Sequence, residues 1–150
     1  MLAHSLDRAA DCQHFYMVKE HLNWIKRMLG VDDIDSPEEA NTDVLKRMVH
    51  DGDDLTKPRD MDFNHLFANE TDAVAFEQAA REAGYRKVAR DFWPEAGRWL
   101  TSVTIRMVPD LGKITSVEQI LNEIAAPLEG KPDGWGCMEV IAATHASLPR

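Results

Sequence analysis

Cysteine is scarce in this chain, and its scarcity removes two classes of small protein. Cys12 and Cys137 are its two cysteines among 150 residues, and they fall on different predicted elements. Two thiols are too few for a disulfide framework or for a four-cysteine zinc site. We expect both thiols to stay reduced, as is usual in the cytoplasm.

Long apolar runs are also missing. No stretch approaches the roughly 20 apolar residues that a membrane-spanning helix needs, and Asp7, Arg8 and Asp11 lie where a secretory signal would be apolar. The sequence therefore predicts a cytoplasmic protein without a membrane partner. Its 150 residues, 44% hydrophobic and 29% charged, fit one globular domain with a real core.

Catalytic patterns are lacking as well. None of the serines lies in a Gly-x-Ser-x-Gly setting, and no glycine-rich phosphate loop occurs. Asp11, His14 and His21 are spaced to share one side of a helix, but two histidines with a lone acid are a weak metal pattern. The run Asp51-Gly52-Asp53-Asp54 lacks the alternating acids of a calcium loop. We therefore predict no metal, no cofactor and no enzymatic activity.

Negative charge is in excess, and it is concentrated in one segment. The net charge is −9, and between residues 32 and 62 eleven carboxylates stand against four cationic side chains. Such a surface repels phosphate backbones and attracts basic proteins, so the sequence predicts a basic protein partner and no direct nucleic-acid binding. A solvated acidic face that only aids solubility is the alternative at this point.

The first part of the chain is predicted to be an N-terminal helical extension, residues 1–31, ahead of a main domain at residues 32–150. Apolar residues recur at three- and four-residue steps from Leu6 to Leu29, and Gly30 would end that helix. Three roles are open to it: packing on the domain, covering a sheet edge, or making a dimer contact.

The main domain shows alternating helix and strand patterns. Ser36, Pro37 and Glu39 predict the start of a helix that ends near Gly52. The remaining predicted elements are a strand over 61–67, a helix capped by Asn69 and ended by Gly84, strands over 85–93 and 99–107 joined by a turn at 94–97, a helix starting at a Thr115–Glu118 capping box, and a strand over 136–142. The order β-α-β-β-α-β predicts an α+β, ferredoxin-like sandwich with an antiparallel sheet.

Two short segments carry the most specific pattern in the chain. One is Asp133-Gly134-Trp135-Gly136, and the other is Gly52-Asp53-Asp54-Leu55, followed by Pro58-Arg59. We expect Gly52 to cap a helix and Asp53 or Asp54 to accept hydrogen bonds from the backbone or from Arg59. Leu55 would reach the core, and Pro58 would keep the connector extended.

With the strand Phe63-Asn64-His65-Leu66-Phe67, these segments resemble in order and spacing the regulator of ribonuclease E activity B family. The resemblance implies a non-catalytic protein that binds ribonuclease E, lowers its activity and so alters RNA turnover. Charge placement then points to five protein-binding candidates: Asp53, Asp54, Asp60, Asp62 and Trp135. The structural motif of the family would comprise Gly52, Leu55, Pro58, Arg59, Asp133, Gly134, Trp135 and Gly136.

Other functions remain open for the same fold. RNA-recognition domains share the predicted element order, but the chain is acidic and lacks their Lys/Arg-Gly-Phe-type run. An adaptor or small-ligand sensor that self-associates through its first helix is the second hypothesis, because a fold does not determine a function. Deleting residues 1–30 would then abolish dimers and leave a folded monomer.

Overall fold

A computed structural model of the chain describes residues 15–17 and 37–141. Most of the predicted N-terminal helix and the Asp11, His14 and His21 group lie outside the described residues. Within them, no helix is both long and apolar enough to cross a bilayer.

The described residues form five strands and three helices. In chain order they are β1 (Phe15–Met17), α1 (Pro37–His50), β2 (Arg59–Phe67), α2 (Glu70–Glu82), β3 (Lys87–Trp93), β4 (Arg98–Met107), α3 (Leu111–Ala125) with a 3-10 turn at Ala126–Leu128, and β5 (Lys131–Met138). The fold is α+β, as predicted.

All five strands belong to one antiparallel sheet in the order β1-β5-β2-β4-β3. β2 is the middle strand of the sheet, and His65 lies on its core face together with the buried side chains of Met61, Phe63 and Phe67. Those three side chains form the middle of the core, which the helices complete with Met48, Phe76, Ile114 and Leu121.

The opposite face of the sheet is polar at its centre. Ser102 donates to Asn64 Oδ1 at 2.7 Å, and Thr104 donates to Asp62 Oδ1 at 2.5 Å, so β2 and β4 are joined there by side chains as well as by the backbone. On this face Asp60 is exposed, whereas Asn64 is buried. The two faces of β2 therefore differ in polarity, one lying in the core and the other carrying polar side chains at its centre.

Three sequence predictions are corrected. Phe15–Met17 pairs with Gly136–Met138 as a strand, so the helix predicted from Leu6 to Leu29 does not pass through these residues. A strand was not expected there because the surrounding apolar residues recur at helical spacing. Pairing with the edge strand β5 outweighs that local helical preference.

The other two corrections concern element boundaries. α3 begins four residues before the expected Thr115, since the side chain of Asp110 accepts a hydrogen bond from Lys113 N at 3.0 Å and caps the helix earlier. β5 starts at Lys131, so Asp133-Gly134-Trp135-Gly136 lies within the strand and not before it. The predicted cap of α2 at Asn69 is confirmed.

Candidate functional site

The glycine of the first motif ends helix α1. Gly52 has φ +94°, its N–H bonds to Val49 O at 3.1 Å, and the N–H of Asp53 bonds to Met48 O at 3.0 Å. This pair of bonds is the Schellman arrangement, which places a residue with positive φ directly after the helix. The chain therefore leaves α1 in a fixed direction, with Asp53 turned inward.

Asp53 and Arg59 form a buried ion pair at this point. Arg59 Nη1 lies 2.7 Å from Asp53 Oδ2, and the side chains are 3% and 0% exposed. The guanidinium also donates to Met138 O at 3.1 Å and to Asp54 O at 2.8 Å, while Asp53 Oδ1 accepts from Val140 N at 3.2 Å. The pair ties the end of α1, the start of β2 and the end of β5 together.

The residues between Asp53 and Arg59 shape a tight connector. Asp54 Oδ1 accepts from the side chain of Thr56 at 2.6 Å and from its backbone N–H at 3.0 Å, and these bonds hold the pKa of Asp54 below its usual value. Leu55 is half-buried against the core, and Pro58 is exposed. The connector is thus fixed by local hydrogen bonds and one apolar anchor.

The second motif forms an irregularity in β5. Phe63 pairs with Trp135 and His65 with Pro132, so two residue steps on β2 face three on β5. Gly134, at φ +80°, adopts the positive φ that this bulge requires. The bulge turns Trp135 into the core, where it is fully buried.

The indole of Trp135 is held by a polar relay. Its Nε1–H donates to Asn41 Oδ1 at 2.8 Å, and Asn41 Nδ2 donates to Glu118 Oε2 at 2.6 Å. The relay joins β5 to α1 and α3, and Asn41 itself is 1% exposed. Sequence reasoning missed Asn41, although it lies on the same helical stripe as Val44 and Met48, where a buried amide signals a polar partner in the core.

The structure separates the five protein-binding candidates. Asp53 and Trp135 are buried, so neither side chain lies at the surface of the free chain. Asp60 and Asp62 lie on the polar face of β2, and Asp54 lies half-buried in the connector.

Asp60 does not act as an isolated carboxylate. Its oxygens lie 3.5 Å from Arg106 Nη1 on β4 and 3.7 Å from Lys87 Nζ on β3, and all three side chains are more than half exposed. Exposed pairs of this kind contribute little to stability. They do reduce the negative potential that the sequence alone assigns to this segment.

Two buried groups have shifted pKa values. Burial raises the pKa of Cys137 to about 11, which keeps the thiol protonated and unreactive. Burial also lowers the pKa of His65, whose Nε2 lies 2.8 Å from Asn122 Oδ1. Within residues 37–141, no cluster of three or more histidine, cysteine or acidic side chains is arranged to hold a metal ion.

Comparison with known proteins agrees with the motif geometry. The family model described as regulator of ribonuclease activity B matches residues 38–137, which span both motifs and every element from α1 to β5. A search of curated proteins gave no match. Because the match covers two thirds of the 150 residues, the chain belongs to the regulator of ribonuclease activity B family.

Proposed function

We propose that this chain is a non-catalytic protein regulator that binds ribonuclease E in the cytoplasm and lowers its activity in trans. The observation that carries the proposal is the family match over residues 38–137. The strand order β5-β2-β4-β3 and the crossing helices support assignment of the regulator domain to the ferredoxin-like class.

The proposed contact uses exposed carboxylates and not the buried parts of the motifs. Asp54, Asp60 and Asp62 remain at or near the surface, and a basic partner segment would exchange the weak Arg106 and Lys87 contacts of Asp60 for its own. Arginine side chains would bind these carboxylates in paired hydrogen bonds that set the orientation of the complex. The buried Asp53–Arg59 pair would hold the connector beneath them.

Titration against the ribonuclease E of the same host tests the proposal. The purified chain would be added to the full-length nuclease and to the nuclease without its basic scaffold region, with binding and RNA cleavage followed at two salt concentrations. We expect binding that weakens with salt, slowed cleavage of RNA, and loss of both when the basic region is removed.

A matched pair of variants separates the proposed surface from charge in general. Asp60→Asn with Asp62→Asn removes two charges from the polar face of β2, whereas Glu123→Gln removes an exposed charge from α3. The first change is expected to weaken binding and the second to leave it unchanged. If the wild-type chain fails to bind at low salt, the regulator proposal is wrong for ribonuclease E.

Self-association through the N-terminal segment is the alternative. Pairing of Phe15–Met17 with β5 of the same chain favours an edge-covering role for that segment over a dimer contact. A chain without residues 1–30 that stays dimeric would contradict the dimer hypothesis.

A further inference from the structure

A second candidate surface lies at the far end of the sheet from Asp60. Phe92 and Trp93 close strand β3 and are 37% and 42% exposed, and Val74 on the neighbouring helix α2 is 41% exposed. We call Val74, Phe92 and Trp93, with the turn 94–97, the hairpin-tip surface. Successive strand residues point to opposite faces, so Phe92 lies on the α2 side of the sheet with Arg90, and Trp93 lies on the other face. Exposed aromatic residues are enriched at interaction sites.

Phe92 is held in place by its neighbours. The ring of Phe92 packs on Trp99 with centroids 5.3 Å apart, and the guanidinium of Arg90 lies 6.0 Å from the Trp99 ring centre. Arg90 is held in turn by Glu77, 2.5 Å away, and by Glu70, 3.7 Å away. A side chain that is already held in place loses little conformational freedom when a partner binds.

Part of the outer edge of β3 has backbone groups that no described residue pairs with. β3 is the last strand of the sheet, and Arg81 bonds to Arg86 O at 2.9 Å and to Val88 O at 3.1 Å. Alternate residues of an antiparallel strand point their backbone groups to the same side, so Arg90 and Phe92 face outward as Val88 does. Among the described residues, nothing covers that outer side of Arg90 and Phe92.

A shallow groove of about 420 Å³ lies between α2 and the start of this open stretch of β3. Arg90 lines it from β3, and five residues line it from α2: Val74, Glu77, Gln78, Arg81 and Glu82. Arg81 therefore protects the first half of the edge, in the way that charged residues guard edge strands. The second half, from Arg90 to Trp93, combines unpaired backbone groups with apolar side chains.

Charge around the hairpin-tip surface is negative. Glu70 and Glu77 are paired with Arg90 and Arg81, and the tip itself carries the carboxylates of Asp91 and Glu95 against the guanidinium of Arg98. Among the described residues, neither Asp91 nor Glu95 has an ion-pair partner, in contrast to Asp60. An acidic rim around an apolar centre complements a segment that is basic and carries an apolar residue.

We propose that an extended, arginine- or lysine-rich segment of the partner nuclease adds as a strand to the edge of β3 at Arg90–Trp93. Its backbone pairs with the outward groups of Arg90 and Phe92, and one apolar side chain packs against the exposed ring of Phe92. Its cationic side chains meet Asp91 and Glu95. The proposal rests on the proposed function, since the nuclease is the source of the segment, and it names the surface that the segment occupies.

Binding of the isolated basic scaffold region of the host ribonuclease E tests this surface. Phe92→Ser with Trp93→Ser removes the apolar centre, and Glu95→Lys reverses a charge of the rim. We expect the first variant to weaken binding about tenfold or more. The second should weaken binding and reduce its dependence on salt. In the complex with the wild-type chain, amide exchange at Arg90 and Phe92 should slow.

The controls are an apolar and an acidic residue on the exposed side of α3. Ile120→Ser and Glu123→Lys repeat the same chemical changes away from the hairpin tip and are expected to leave binding unchanged. Unfolding midpoints of all variants would show that each is folded.

The outcomes distinguish the two proposals. No binding by the wild-type chain would overturn the ribonuclease E function and this assignment with it. Binding by the wild type that the hairpin-tip variants leave within about twofold would overturn only the surface. If those variants instead dissociate a dimer of the free chain, the surface belongs to a second copy, and the nuclease segment is the wrong occupant.

Discussion

Asp53 and Arg59 are the residues whose removal should cost most at the level of single side chains. Asp53→Asn leaves the guanidinium buried without a counter-charge, and breaking a buried pair in this way costs about 3–5 kcal/mol. Urea unfolding monitored by circular dichroism would measure the loss. Asp54→Asn is the matched control, because Asp54 is in contact with solvent and should lose far less stability.

A double replacement of the pair should recover only part of that loss. Apolar residues often replace a buried pair at little cost, but Arg59 also serves the carbonyls of Met138 and Asp54. Without the guanidinium those acceptors lose a partner. Full recovery in Asp53→Leu with Arg59→Met would show that the bonds to the carbonyls contribute little.

His65 should make stability depend on pH in a narrow window. Burial lowers its pKa below the ordinary 6.5, and Nδ1 has no hydrogen-bond partner among the described residues. Above pH 6.5 the ring is neutral in the folded and in the unfolded chain, so its protonation does not reduce the free energy of unfolding. As the pH falls below 6.5 the unfolded chain binds a proton first, so stability declines toward the lower pKa of the folded state, by at most about 1.4 kcal/mol per pH unit.

Unfolding measured at pH 7.5, 6.5 and 5.5 would check this. The decline should disappear in His65→Gln and persist in His50→Gln, whose ring is exposed. Carboxylates with lowered pKa, such as Asp54, titrate at lower pH and do not enter this window. A decline of equal size in His65→Gln would assign it to other groups.

Residue roles that depend on neighbours in sequence were predictable, and those that depend on distant partners were not. Gly52 as a cap and Asp53 as a hydrogen-bond acceptor follow from local turn chemistry. That Trp135 needs a partner for its N–H also follows from its chemistry, but the partner is Asn41, 94 positions away. Burial of Asp53 was missed because its charge suggested a surface.

The connection between α3 and β5 assigns different tasks to two adjacent residues. Glu129 adopts positive φ, 56°, although it is not glycine, and ends the helical turn. Gly130 is needed for close approach, since a Cβ there would stand 2.6 Å from Phe67 Cζ and 3.0 Å from Ala125 Cβ. The element is thus strained at one position and tightly packed at the next.

Single substitutions at Glu129 and Gly130 should have opposite effects on the free energy of unfolding. Gly130→Ala pushes on the ring of Phe67 in the core and is expected to lower the free energy of unfolding by about 1–3 kcal/mol. Glu129→Gly relieves the positive φ and should be neutral or stabilising by up to about 1 kcal/mol. Chemical unfolding of both variants checks the pair, and a neutral Gly130→Ala would contradict the packing argument.

Element types were predicted better than element boundaries. The alternating pattern of β2 and the Asn69 cap of α2 are local signals, and the structure confirms both elements. The start of β5 was placed too late because glycines suggested a strand entry, whereas Gly134 forms a bulge whose need arises from the register with β2. The register depends on which residues of the partner strand lie opposite, so the sequence of β5 alone does not reveal where a bulge is needed.

At the scale of the whole molecule, the acidic charge is divided between two ends of one sheet. The sequence correctly concentrates carboxylates between residues 32 and 62, but it does not reveal that strand register brings Arg106 and Lys87 beside Asp60. It also gives no sign that Phe92 stays exposed at the other end. Pairing between strands that are distant in sequence determines both the neighbours of Asp60 and the exposure of Phe92.

The two ends should contribute to partner binding independently. Asp60 lies opposite Arg106, and Phe67 lies opposite Trp99 at the hairpin tip. At 3.3 Å per residue, the seven steps between Asp60 and Phe67 separate the two surfaces by about 23 Å. Substitutions this far apart with no shared contacts add in free energy to within about 0.5 kcal/mol.

Kinetics of binding to the nuclease scaffold region would test that independence. Asp60→Asn with Asp62→Asn is expected to slow association and reduce its salt dependence, because exposed charges steer the encounter. Phe92→Ser with Trp93→Ser is expected to speed dissociation, as apolar anchors act after contact. In the combined variant the two losses should multiply to within about twofold. A combined loss no larger than either single loss would show that the two ends are coupled and would contradict their independence.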